Sequence, residues 1–226
     1  MNFFQFLKSL DDLLYEVVSW LVFYPVTLWR AARHPLAMMD YATSELTKPD
    51  EQQFDEALSP PILLMLTVLV AHGIELALIG ESTIVADKRG VASLISDDTS
   101  LILLRLVAFA SFPLIFATHT LRKQRATLTR QSLEPAFFAQ CYANAPFALI
   151  VSIAATLTQV PIILADLAAL TLFGLSGLGF IAVETMWFRK VLGVGVLRGI
   201  GNAITAYAAA LAFMLAVGWL VGGEPL

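Results

Sequence analysis

Charged side chains are scarce in this chain: Asp, Glu, Lys and Arg make up 14% of its 226 residues, against roughly a quarter in a soluble domain. Cysteine is nearly absent. Cys141 stands alone, which excludes an internal disulfide framework and any CxxC metal site and leaves it the part of a small core residue. No HExxH, no paired cysteines and no carboxylate-plus-histidine set has metal-ligand spacing. Nucleotide motifs are missing too, since GVGVLRGIG from Gly193 to Gly201 follows no expected strand and lacks the P-loop lysine. A net charge of -4 argues against nucleic acid, which needs a basic face. The N-terminus lacks the pattern of a cleavable signal: Lys8 is soon followed by Asp11, Asp12 and Glu16, with no A-x-A pattern after them. The chain is expected to stay whole.

What it has is apolar length. Hydrophobic residues reach 58% and the mean hydropathy is +0.76, more than a soluble globule can hide but natural for a membrane protein. Five stretches, about 59–80, 100–121, 135–159, 161–184 and 202–222, each meet the ~20 residues needed to cross a hydrocarbon core of ~30 Å. The predicted fold is an all-α polytopic membrane helical bundle of five transmembrane helices. It divides into an N-terminal segment, 1–58, and a membrane domain, 59–226. Only a TQVP turn separates the third and fourth spans, so they are expected to form an antiparallel hairpin.

In the N-terminal segment Phe3, Phe6, Leu7, Leu10, Leu14, Val17, Val18 and Leu21 recur at helical spacing, with Lys8, Asp11, Asp12 and Glu16 between them. The uncharged run from Val17 to Trp29 contains Pro25 and is short for a span. It suits an amphipathic interfacial helix, with Trp20, Tyr24 and Trp29 at headgroup level; a sixth, tilted span over 14–32 is the alternative. The acidic connector from Asp40 to Glu56 reads as solvated.

Eleven of the fourteen basic residues fall on one side of these spans: Lys8, Arg30, Arg33 and Lys48, then Arg122, Lys123, Arg125 and Arg130, then Arg189, Lys190 and Arg198. The other side has Lys88 and Arg89. By the positive-inside rule the N-terminus is cytoplasmic and the C-terminus is not. Short loops and Ala/Leu-rich spans lean towards a bacterial inner membrane.

Glu75, Arg105 and Asp166 are ionisable residues inside spans, costly unless paired or reached by water. Each lies five positions from the non-cytoplasmic end of its span, roughly 7–8 Å deep at ~1.5 Å per residue. They are expected to form a buried charge cluster, with Arg105 clamping both acids through its planar fork, snorkelling to the surface, or serving an ion or substrate site. His72, three residues before Glu75, joins them as a packing partner or as half of a proton relay. Arg122, Lys123, Arg125 and Arg130 are candidate contacts for anionic lipid headgroups. Gly174, Ser176, Gly177 and Gly179, and Ala208, Ala212 and Ala216, form small-residue strips suited to close internal helix packing.

This architecture, with FYPVTLWRAARHP before the first span, FFAQCYANAPFAL in the third and TMWFRKVLGVGVLRGIGNAITAYAAAL leading into the fifth, resembles the Yip-domain family of five-span membrane proteins, the Ypt/Rab-interacting proteins and their bacterial relatives. The family's recurrent aromatic and proline would be Tyr142 and Pro146, and its tryptophan and loop glycine Trp187 and Gly195. The resemblance implies a non-enzymatic membrane-organising or complex-scaffolding component, with the bilayer and another membrane protein as partners and no cofactor. The rival is a small transporter or permease using Glu75, Arg105 and Asp166, though five spans do not divide into inverted repeats. An intramembrane enzyme lacks any recognisable nucleophile–base or metal set.

Overall fold

A computed structural model describes residues 3–80 and 98–222. The loop that carries Lys88 and Arg89 lies outside the described residues. Among those residues the secondary structure is wholly helical: α1 (Phe3–Arg33), α2 (Pro35–Glu45), a short 3-10 turn (Asp50–Gln52), α3 (Pro60–Ile79), α4 (Asp98–Lys123), α5 (Arg130–Leu157), α6 (Ile163–Leu192) and α7 (Val196–Gly222). Five of them, α3 to α7, are long and apolar enough to cross a membrane. The chain is an all-α integral membrane protein.

Local chemistry sets the helix ends. Pro35 opens α2 directly after His34, and Pro60 with Pro61 opens α3 after Ser59, where the missing amide donors are orphans anyway. Thr129 caps α5: its hydroxyl accepts from the Ser132 amide at 3.1 Å while the Ser132 hydroxyl accepts from the Thr129 amide at 3.0 Å. Gly193, at φ +63°, ends α6 in the left-handed conformation that glycine adopts without a Cβ penalty.

Helix α5 is the hub, packing against α1, α2, α3, α4 and α6. An aromatic ladder ties its neighbours together. Phe147 of α5 stacks on Phe180 of α6 at 4.5 Å, Phe180 meets Phe116 of α4 edge-on at 5.3 Å, and Tyr207 of α7 sits 6.2 Å from Phe112. In α7 the packed stripe is Ala203, Ala206 and Ala210, all fully buried. Ala208, Ala212 and Ala216 are exposed, so their expected internal packing is corrected: they lie on the opposite face. In α6 Gly177 is the strip residue that packs, with the Tyr207 hydroxyl 3.2 Å from where its Cβ would be, while Gly174 and Gly179 face open space.

The stretch from Asp40 to Glu56 also departs from expectation. Its first turns belong to α2, which buries Met38, Met39, Ala42 and Glu45 against α5. Glu45 earns that place through hydrogen bonds, from Lys48 Nζ at 2.6 Å to one oxygen and from the Phe54 amide at 2.8 Å to the other. The folded cap is pinned to α1 and α5 as well: the Leu58 amide donates to Thr27 Oγ1 at 3.2 Å and Tyr142 donates to the Leu58 carbonyl at 2.6 Å.

Helix α1 leans along α3 before it leaves the bundle. Thr27 meets Leu58 just before α3, and the Tyr24 hydroxyl reaches Thr67 Oγ1 at 3.4 Å, two turns into α3. Upstream, Leu13, Leu14, Val17, Val18, Leu21 and Val22 are all exposed.

Candidate functional site

Two groups of buried polar side chains stand out in the five-helix bundle, one near each end. The first joins α3, α4 and the end of α5. Buried residues of α3 recur at Leu64, Thr67, Val68, Ala71, His72 and Glu75, so the face that packs also carries the polar pair inward. Arg105 Nη1 of α4 makes an ion pair with Glu75 Oε2 and a 3.1 Å contact with His72 Nδ1. Arginine only donates, so His72 Nδ1 is an acceptor here and the ring proton belongs on Nε2. His72 Nδ1 also comes within 3.6 Å of Glu75 Oε2, so the pair expected from their i, i+3 spacing is in contact. Gln159, just past the end of α5, donates to the other Glu75 oxygen at 3.4 Å. The arrangement is a clamp, and it brings together three of the four residues expected to cluster.

Asp166 is not part of it. It is exposed in the first turn of α6, where Ile163, Leu164 and Leu167 are exposed too, and among the described residues no neighbouring helix covers that turn. A carboxylate in a first turn is favoured by the helix dipole and needs no cation from α4.

The second group was not foreseen. Glu184 of α6 is fully buried, as are Gln140 and Asn144 of α5. Gln140 Nε2 donates to Glu184 Oε2 at 3.0 Å, and Asn144 Nδ2 donates to the Phe109 carbonyl at 3.2 Å. One oxygen on each of the three, Gln140 Oε1, Asn144 Oδ1 and Glu184 Oε1, has no partner among the described residues. A signal was available: Gln140 and Asn144 are polar residues four apart on one face of an apolar helix, and Glu184 sits midway between Phe180 and Phe188, which both face the core.

Of the four expected lipid contacts, Arg122, Lys123, Arg125 and Arg130 are all exposed around the α4–α5 connection. Of the residues that carry the family resemblance, Tyr142 and Trp187 are buried, Pro146 lies within α5 and Gly195 is exposed between α6 and α7. Among the described residues no three His, Cys, Asp or Glu side chains gather to hold a metal ion.

No family model matches the chain, and no curated protein or solved structure matches it either.

Proposed function

We propose that this chain is a non-enzymatic membrane-organising or complex-scaffolding protein, as its resemblance to the Yip-domain family implies, with its N-terminus on the cytoplasmic side of a bacterial inner membrane. The observation that carries the reading is the N-terminal arm. Leu14, Leu21 and Val22 are 55%, 74% and 62% exposed, the last two on the outer face of a helix whose Trp20 and Tyr24 still pack against the core. Apolar surface of that extent marks a membrane or protein interaction site. Lying at the surface and dipping along α3, the arm presents it to lipid or to a neighbouring membrane protein. The permease alternative needs Glu75, Arg105 and Asp166 to act together, and the separation of Asp166 and the closed pairing of the other two weigh against it.

Two measurements test the proposal. In a Cys141→Ala background, cysteines placed at Lys8 and Asp12 should both label from the cytoplasmic side of sealed vesicles. Labelling of Lys8 from the opposite side would make the arm a sixth span and overturn its surface role. A Leu14→Glu/Leu21→Glu variant should shrink the assemblies released in polymer nanodiscs, measured by mass photometry, while the bundle keeps its melting temperature. Assemblies of unchanged size, or substrate flux in proteoliposomes, would overturn the scaffold reading.

A further inference from the structure

The ends of three spans meet around an open cleft of about 600 Å³ at the basic end of the bundle, with Lys123 of α4, Leu192 of α6 and Arg198 of α7 lining it. Lys123 and Arg198 line it together with the polar side chains of Gln124 and Asn202, and Val191 and Leu192 form an apolar wall. No acidic residue lines it. Neither Lys123 nor Arg198 has an ion pair or side-chain hydrogen bond to a described residue, unlike Lys190, which pairs with Asp40, or Lys48, which pairs with Glu45.

We propose that this cleft is a binding site for a phosphate group, with the headgroup of an anionic phospholipid as its source. An arginine fork and a lysine point charge are the usual recognition pair for phosphate oxygens. Arg198 stands in the first turn of a 27-residue helix, α7, whose dipole has its positive end there and favours an anion beside it. The site is also held in shape. His119 Nε2 meets Asn202 Oδ1 at 3.1 Å, tying α4 to α7, and Asn202 Nδ2 donates to the Arg198 carbonyl at 2.9 Å. At Gly199 a Cβ would lie 2.7 Å from Arg189 Cγ and 3.0 Å from the Thr185 carbonyl oxygen, so glycine is what lets α7 start hard against α6 with Arg198 beside that contact. The apolar wall and the position at three span ends point to a lipid, whose acyl chains would continue along the helices, more than to free phosphate. The inference does not rest on the scaffold reading, since a permease could carry the same site.

The test is a lipid titration of the purified full chain in neutral detergent, read by thermal stability and by native mass spectrometry. Phosphatidylglycerol should bind and raise the melting temperature, and phosphatidylcholine should do neither. Lys123→Gln/Arg198→Gln should weaken phosphatidylglycerol binding about thirtyfold, at roughly 1 kcal/mol for each cation, with lipid-free stability unchanged. Lys8→Gln/Arg33→Gln removes equal charge from exposed positions outside the cleft and should weaken it no more than about twofold. Equal losses from both double variants, or equal binding of the two lipids, would overturn the proposal. A third arm adds inorganic phosphate alone: if it competes and phosphatidylglycerol shows no advantage over it, the phosphate site stands and free phosphate is its source. If Lys123→Gln/Arg198→Gln lowers the lipid-free melting temperature, Lys123→Arg/Arg198→Lys takes its place: it keeps the charge, should keep lipid preference, and loss of preference there counts against the site.

Discussion

Glu75 and Glu184 are both buried carboxyls in apolar helices, yet the bundle accommodates them by different means. Glu75 is met by a guanidinium: Arg105 crosses from α4, and Gln159 closes the other oxygen. Glu184 is met by an amide, Gln140 of α5, and its second oxygen is left without a partner among the described residues. The first arrangement depends on charge compensation, so each member is costly without the other. The second depends on one hydrogen bond from Gln140, and an amide of the same shape would fit it as well. Identical residue types thus impose different constraints, and substitution distinguishes them.

The largest effect is expected at the charged end. Arg105→Leu leaves Glu75 buried without its cation and should cost about 3–5 kcal/mol, the range for breaking one side of a buried ion pair. Thermal unfolding in detergent measures it. Adding Glu75→Gln should recover much of the loss, because no uncompensated charge remains. Asp166→Asn should change stability by less than about 0.5 kcal/mol, as for other exposed substitutions. An Arg105→Leu variant as stable as the parent would show that Arg105 reaches water on its own and that the clamp is no clamp.

The contrast between those two acids also marks where sequence patterning reaches its limit. Apolar runs of about 20 residues mean one thing in a bilayer, so the five spans and the α5–α6 hairpin were legible. Counting positions from the span ends put Glu75 with Arg105, and the two do pair. Counting positions does not say which way a side chain faces, and Asp166, at the same count from its span end, lies exposed on the first turn of α6. Glu184 was hidden for another reason. The expected fourth span ends at residue 184, whereas α6 runs on to Leu192 and buries Trp187 and Phe188 beyond it. The docking of α2 was illegible because an acidic composition says nothing of Met38, Met39 and Ala42 sharing one face, nor of a carboxylate that finds two donors.

A smaller effect is expected at the amide-paired acid. Glu184→Leu leaves the Gln140 amide buried without its acceptor and should cost about 1–3 kcal/mol. Glu184→Gln keeps the shape and an acceptor oxygen, and should cost under about 1 kcal/mol. Gln140→Leu/Glu184→Leu removes both partners and should be milder than the sum of its single variants, the signature of a coupled pair in a double-mutant cycle. A loss for Glu184→Gln as large as that for Arg105→Leu would show that the charge of Glu184 matters, and the distinction between the two ends would fall.

Glu45, outside the spans, sharpens the comparison from a third direction, because here a carboxylate and a cation meet in the cap near water. Burial pushes its carboxyl up, and the Lys48 ammonium and the Phe54 amide together outweigh that, leaving it below its ordinary value of 4.5. A carboxyl lowered on folding contributes stability above its unfolded value and loses it as pH falls through the folded one. Glu45→Gln should therefore cost about 1 kcal/mol at neutral pH. The gap between parent and variant should narrow as pH drops below 4.5, until both carry an uncharged side chain. Because Lys48 is half exposed, added salt should shrink the part of the gap that comes from the ion pair and leave the part from the Phe54 amide. Melting temperatures of the two proteins across pH 3 to 7, at low and high salt, measure both terms. A gap that stays constant down to the lowest pH would mean that shape at position 45, and not its charge, holds the cap against α5.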